Sequence, residues 1–161
     1  VLYWLKASNT YVGLFGDRMI APTLDRTKGI MHNFKLIDAE KEKCGGSTEN
    51  GIYDFFEEAI RNKTVIDTIV VFSDCQIGDG CVWYGSSIGR SSGRFMNLFS
   101  EYKKISPNVR VYTVNLKGYG TTVFDGSTIK ISGWSDKIFD VMKMAEIDKN
   151  ALINEIKKIK I

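Results

Sequence analysis

Asp74 is the residue with the strongest chemical case, because it directly follows Thr68-Ile69-Val70-Val71-Phe72-Ser73, a β-branched and apolar run that reads as a buried strand. In open parallel sheets, ligands bind beyond the carboxyl ends of the strands, so a carboxylate at that position carries more weight than one elsewhere. Beside it stand Ser73 and, on a second loop, Ser47 and Thr48 within Cys44-Gly45-Gly46-Ser47-Thr48-Glu49. A carboxylate and several hydroxyls are hard oxygen donors of the kind magnesium or manganese accepts, with water completing the shell. The alternative is that Asp74 caps a helix or bonds a loop amide, and local sequence leaves both open.

The other reactive residue types have plainer readings. Asp79-Gly80 and Asp125-Gly126 are turn dipeptides, and Glu57 and Glu58 fall on a solvated helix face. Cys44, Cys75 and Cys81 have no metal-like spacing, and a single histidine, His32, offers little help, which suggests free thiols in a reducing, cytoplasmic setting. One histidine also argues against most hydrolase triads. There is no Gly-x-x-x-x-Gly-Lys-Ser/Thr phosphate loop and no Gly-x-Gly-x-x-Gly. Trp83, Tyr84 and Tyr119 sit in loop regions where they would either stack on bases or pack onto the body.

These residues need elements to position them. An apolar opening, VLYWLKA, has no capping residue before it and reads as the end of a helix. Tyr11–Phe15 and Met19–Ala21 flank Gly16-Asp17, which predicts a hairpin. A helix is predicted over about Asp25–Lys43, with Ile30, Met31, Phe34 and Ile37 as its apolar positions. Another is predicted from the Gly-Gly-Ser-Thr break to Arg61, carrying Phe55 and Phe56 at core spacing. Thr68–Phe72, apolar on both faces, belongs in the middle of a covered sheet. A Gly/Ser-rich loop follows over 76–93, then an amphipathic helix through Phe95, Phe99 and Tyr102 that stops before Pro107. Strands at Val109–Leu116 and Thr128–Ser132 and helices over Trp134–Ala145 and 147–161 complete the chain. Alternating strands and helices with continuous apolar strands predict an α/β, three-layer, Rossmann-like sheet that is mostly parallel.

The 161 residues suit a single domain, and 43% hydrophobic with 25% charged residues fits a globular protein and excludes disordered or fibrous classes. No apolar run approaches the roughly 20 residues of a membrane helix. The net charge of +3 is too mild to diagnose a nucleic-acid partner. The excess sits in the last third, where Lys157, Lys158 and Lys160 form either a solvated helix face or an RNA-facing patch.

Taken together, the hairpin, Gly-Gly-Ser-Thr opening a helix, and a strand ending in Phe-Ser-Asp resemble a von Willebrand factor A domain. The stretch Val109-Arg110-Val111-Tyr112-Thr113-Val114-Asn115-Leu116, then Gly118-Tyr119-Gly120-Thr121-Thr122, then Ile131-Ser132-Gly133-Trp134-Ser135-Asp136-Lys137-Ile138-Phe139-Asp140-Val141, is most similar to the C-terminal domain of TROVE proteins, the Ro autoantigen and its relatives. The likeness is carried by 109–141 and is weak before 66. It implies a metal-ion-dependent adhesion site in which Thr48 and Asp74 hold a divalent cation, magnesium or manganese, with Ser47 and Ser73 as supporting loop residues. The first metal loop of that site, Asp-x-Ser-x-Ser, does not occur in these residues, and Gln76 stands where the family has an acidic residue. The first strand is therefore expected to be missing, which makes residues 1–161 a single but N-terminally incomplete domain with unpaired backbone at the neighbouring strands.

The resemblance implies a non-enzymatic binding or adhesion module of a TROVE-like RNA-binding ribonucleoprotein. A protein partner is expected on the metal-site face and a small structured RNA on other regions of the full protein, with no membrane and no DNA partner. The alternatives are a structural subunit of a larger assembly such as a virion, with a degenerate metal site, and a magnesium-dependent nuclease or phosphoryl-transfer enzyme. The latter would need a second carboxylate at a neighbouring strand end.

Overall fold

The computed structural model describes residues 4–5, 9–45, 50–73, 92–117, 128–135, 137–148 and 150–158. The chain divides into two compact units, Val1–Val65 with Ile77–Asn108, and Ile66–Gln76 with Val109–Ile161.

In the first unit the hairpin is present: β1 (Leu14–Phe15) pairs antiparallel with β2 (Met19–Ile20). Phe15 lies opposite Met19, so the turn holds Gly16, Asp17 and Arg18 rather than the two residues a Gly-Asp turn suggests. The reason is a close approach of backbone. A Cβ on Gly16 would collide with the Gly45 carbonyl and lie 2.8 Å from the Cys44 oxygen. Arg18 N–H donates to the Cys44 carbonyl at 3.1 Å, and Gly51 N–H donates to the Gly16 carbonyl at 2.9 Å.

The helix expected from Asp25 begins later, as α1 (Ile30–Glu40), continued by a 3-10 turn over Lys41–Cys44. The delay has a physical cause in Asn33, which is fully buried. Its Oδ1 accepts from Asp25 N–H at 2.8 Å, and its Nδ2 lies 2.8 Å from the Asp25 carbonyl, 3.2 Å from that of Gly29 and 3.3 Å from that of Lys28. The Asp25 carboxylate accepts from the Thr27 hydroxyl and N–H, and these bonds hold its pKa below the ordinary 3.8. Asparagine thus supplies the backbone of 25–29 with the partners that a further helical turn would otherwise give it. Of the expected apolar positions, Ile30, Met31 and Phe34 lie exposed and Ile37 is half-buried.

Apolar spacing of i, i+4 and i+7 builds the rest of this unit. Helix α2 (Asn50–Arg61) buries Ile52, Phe56 and Ala59, and α3 (Ser92–Ile105) buries Phe95, Phe99 and Tyr102. Phe56 is the centre, with ring centroids at 5.6 Å to Phe95, 5.5 Å to Phe99 and 5.2 Å to Tyr102, all edge to face. Phe55, read as core, is only half-buried, and Tyr53 takes a core place instead. Tyr102 keeps its hydroxyl satisfied by donating to the Thr64 carbonyl at 3.1 Å.

The second unit is a three-stranded parallel sheet in the order β3-β4-β5, with β3 (Thr68–Ser73), β4 (Arg110–Asn115) and β5 (Ile129–Ser132). Helix α4 (Ile138–Ile147) packs on one face through Ile138 and Met142 against Tyr112 and Val114, with Val70, Ile131 and Phe139 around them. Helix α5 (Ala151–Lys158) contacts α4. Together the units make a mixed α/β protein with a parallel sheet, as the alternating pattern predicts. The place of the strands differs from expectation. Among the described residues the middle place expected for Thr68–Phe72 is held by β4: Val111, Tyr112, Thr113 and Val114 are all buried, whereas β3 buries Val71 and Ser73 and leaves Phe72 exposed.

Candidate functional site

The parallel register aligns three polar residues at the carboxyl edge of the sheet. Ser73 pairs with Asn115, and Asn115 pairs with Ser132, so the strands end level with one another in a row of hydroxyl, amide and hydroxyl. The row runs from buried Ser73 through half-buried Asn115 to exposed Ser132. The chain turns sharply beyond it. Leu116 N–H donates to the Ser73 carbonyl at 2.8 Å, Gly133 N–H to the Asn115 carbonyl at 2.8 Å, and Lys117 N–H to Asn115 Oδ1 at 3.2 Å. Gly133 has φ +84°, a left-handed conformation that glycine adopts without a side-chain penalty.

Two further residues define the rim. Ser135 shapes the turn that leads into α4, with its hydroxyl accepting from Lys137 N–H two residues on at 3.1 Å. Trp134 stands largely exposed, and its ring lies 5.6 Å from that of Phe72, the last apolar residue of β3. The edge therefore combines neutral oxygen donors with an exposed indole.

Of the expected site residues, Ser73 lies in this row. Asp74 is the next residue in the chain and falls outside the described residues, as do Ser47 and Thr48. The anchors of the Ser47-Thr48 loop are nevertheless defined. Gly45, at φ +76°, sits against the Asp17 side chain, while Cys44 and Gly51 are tied to the hairpin turn by the two backbone bonds above. Lys157 and Lys158 are exposed in the last turn of α5, and Lys160 lies outside the described residues. Cys75, Asp79, Cys81, Trp83, Tyr84, Tyr119 and Asp125 are also outside them.

Asn115 and Ser132 were not singled out from sequence. Asn115 reads there as the interior of a strand running to Leu116, and only the register shows that it closes β4 beside Ser73. His32 is exposed on α1, in keeping with an incidental helix residue, and Cys44 is buried with its Sγ donating to the Lys41 carbonyl at 2.8 Å. Among the described residues no group of three or more His, Cys, Asp or Glu side chains converges. Among the same residues no helix is long and apolar enough to cross a membrane.

Hydroxyl and amide oxygens hold a divalent cation weakly unless a carboxylate joins them, and Asp74 is the one in sequence to do so. No protein-family model, curated protein or solved structure matches this chain.

Proposed function

We propose that this chain is a non-enzymatic binding module of von Willebrand factor A type, TROVE-like in its second half, whose binding face is the carboxyl edge of the parallel sheet. The observation that carries this reading is the level row of Ser73, Asn115 and Ser132, immediately before Asp74. In this reading Asp74 and Thr48 are the principal ligands of a magnesium or manganese ion, supported by Ser47 and Ser73. The cation then offers a free coordination position to a carboxylate of a protein partner. A small structured RNA is held by other regions of the full protein, with Lys157, Lys158 and Lys160 as added basic contacts.

Titration with manganese, followed by the loss of the free-ion paramagnetic resonance signal, tests the cation. One ion is expected to bind the native chain, and Asp74→Ala is expected to lower its affinity at least tenfold, a difference of about 1.4 kcal/mol. Equal binding by the native and Asp74→Ala proteins would sink the metal-bearing version, and manganese-dependent cleavage of RNA, lost in Asp74→Ala, would replace it with an enzyme.

A further inference from the structure

The first unit carries an open cavity of about 360 Å³ where the chain enters β1 and leaves β2. Its walls come from Trp4, the 9–12 segment and the 21–26 segment. That volume lies within the range of small-molecule sites and equals about a dozen waters of liquid, room for one ring system and its substituents. Val12, Pro22 and Leu24 give the cavity half-buried apolar surface. Two aromatic rings border it: the Trp4 indole is half-buried, and Tyr11 is 87% exposed, a ring displayed to water and not packed into the body.

The cavity is also positive. Among the described residues that line it, Arg26 is charged and none is acidic. The Arg26 guanidinium lies over the Trp4 ring, 4.3 Å from its centroid, and donates to the carbonyls of Trp4 and Thr10. Ring and carbonyls are neutral, so they fix the orientation of the guanidinium fork without cancelling its charge. The neighbouring carboxylate, Asp25, is turned to Thr27, whose N–H and hydroxyl it accepts at 2.8 and 2.6 Å. Asn9 adds an amide, which both donates and accepts.

Flat rings, an oriented cation and an amide together choose the occupant. An apolar molecule would strip water from the guanidinium without repayment, and a simple anion would leave the rings unused. A planar heterocycle with a hydrogen-bonding edge and an anionic group matches all three. We propose that this cavity binds a nucleotide, with its base against Trp4 and Tyr11, its phosphate at Arg26, and adenine favoured by the Asn9 amide. The same chemistry is offered by a free nucleotide and by an unpaired residue of a single strand. The proposal does not rest on the cation site at the sheet edge.

The test is isothermal titration of the whole chain with adenosine monophosphate, adenosine and inorganic phosphate, in excess EDTA so that a bound cation takes no part. Adenosine monophosphate is expected to bind with a dissociation constant of about 1 mM or tighter, and adenosine about tenfold more weakly. Arg26→Gln is expected to bring the nucleotide down to the affinity of adenosine while leaving adenosine unchanged. Because Arg26 also holds two carbonyls, Tyr11→Ala serves as the second variant, at a ring that already lies in water. It is expected to weaken the nucleotide by about tenfold, the usual loss for one stacking aromatic. A short single-stranded oligoadenylate that binds more tightly than the mononucleotide assigns the site to a single strand, and one that binds no better assigns it to the free nucleotide. The proposal is overturned if adenosine monophosphate does not bind at about 1 mM, if phosphate alone binds as well, or if Tyr11→Ala binds the nucleotide as the native protein does.

Discussion

Replacing Thr113 with valine is expected to make the protein more stable, against the general tendency of point substitutions. Thr113 sits in the middle of β4, 1% exposed, and its Oγ1 has no hydrogen-bond partner among the described residues. A buried hydroxyl without a partner costs about 1–3 kcal/mol of lost hydration. Valine has nearly the same shape, keeps the β-branch that suits a central strand, and exchanges the hydroxyl for a methyl group whose burial is favourable. The expected gain is therefore about 1–3 kcal/mol, or about 2–4 °C in melting temperature for each kcal/mol in a chain of this size. Urea unfolding with the midpoint and slope fitted separately measures it, and an unchanged slope shows that the native and unfolded surfaces are comparable. Thr113→Ser, which keeps the hydroxyl and deletes the methyl, is expected to lose about 1 kcal/mol. A valine variant less stable than the native protein would refute the reasoning, because it would mean that the hydroxyl has a partner in solution.

Asn33→Ala is expected to destabilise the first unit by about 2–4 kcal/mol, since it removes one bond accepted from Asp25 and the amide donor shared among the carbonyls of Asp25, Lys28 and Gly29. The same urea assay reads it, and a loss below about half a kcal/mol would show that water replaces the amide. Tyr112 predicts an alkaline limit. Burial, then the Glu146 carboxylate, raise its phenol pKa above the ordinary 10.0, with Arg110 opposing, so the folded state favours the neutral ring. Its contribution is complete below pH 10.0 and is lost as pH rises from there through the raised folded value. Tyr112→Phe, which loses the bond to the Met142 carbonyl at 3.3 Å, is expected to cost about 1 kcal/mol at neutral pH and to flatten the decline above pH 10.0. An equally steep decline in the phenylalanine variant would assign it to other groups.

Patterns within one element were legible from sequence. Phe56 and Ala59, or Phe95, Phe99 and Tyr102, recur at intervals that put them on one side of a helix whatever surrounds it, and those helices form with those residues buried. The hairpin around Gly16, the strands at 68–73 and 110–115 and the stop before Pro107 are equally local, because turn dihedrals, β-branching and the missing proline N–H act on neighbours in the chain. The late start of α1 was less visible. It depends on one side chain, Asn33, reaching back eight residues to Asp25, and no periodicity reports that bond.

Tertiary structure decided what depends on pairing across the chain. An apolar strand reads the same in the middle of a sheet or at its side, since composition records how hydrophobic the neighbours must be and not which strands supply them. The register does record it. Among the described residues it makes β4 the centre, brings Ser73, Asn115 and Ser132 level at one edge, and turns the backbone of Thr68, Val70 and Phe72 away from β4. Asp74 was singled out by its place after an apolar run, a local signal, while Asn115 and Ser132 became part of the site only once hydrogen bonds between strands far apart in sequence set them beside Ser73.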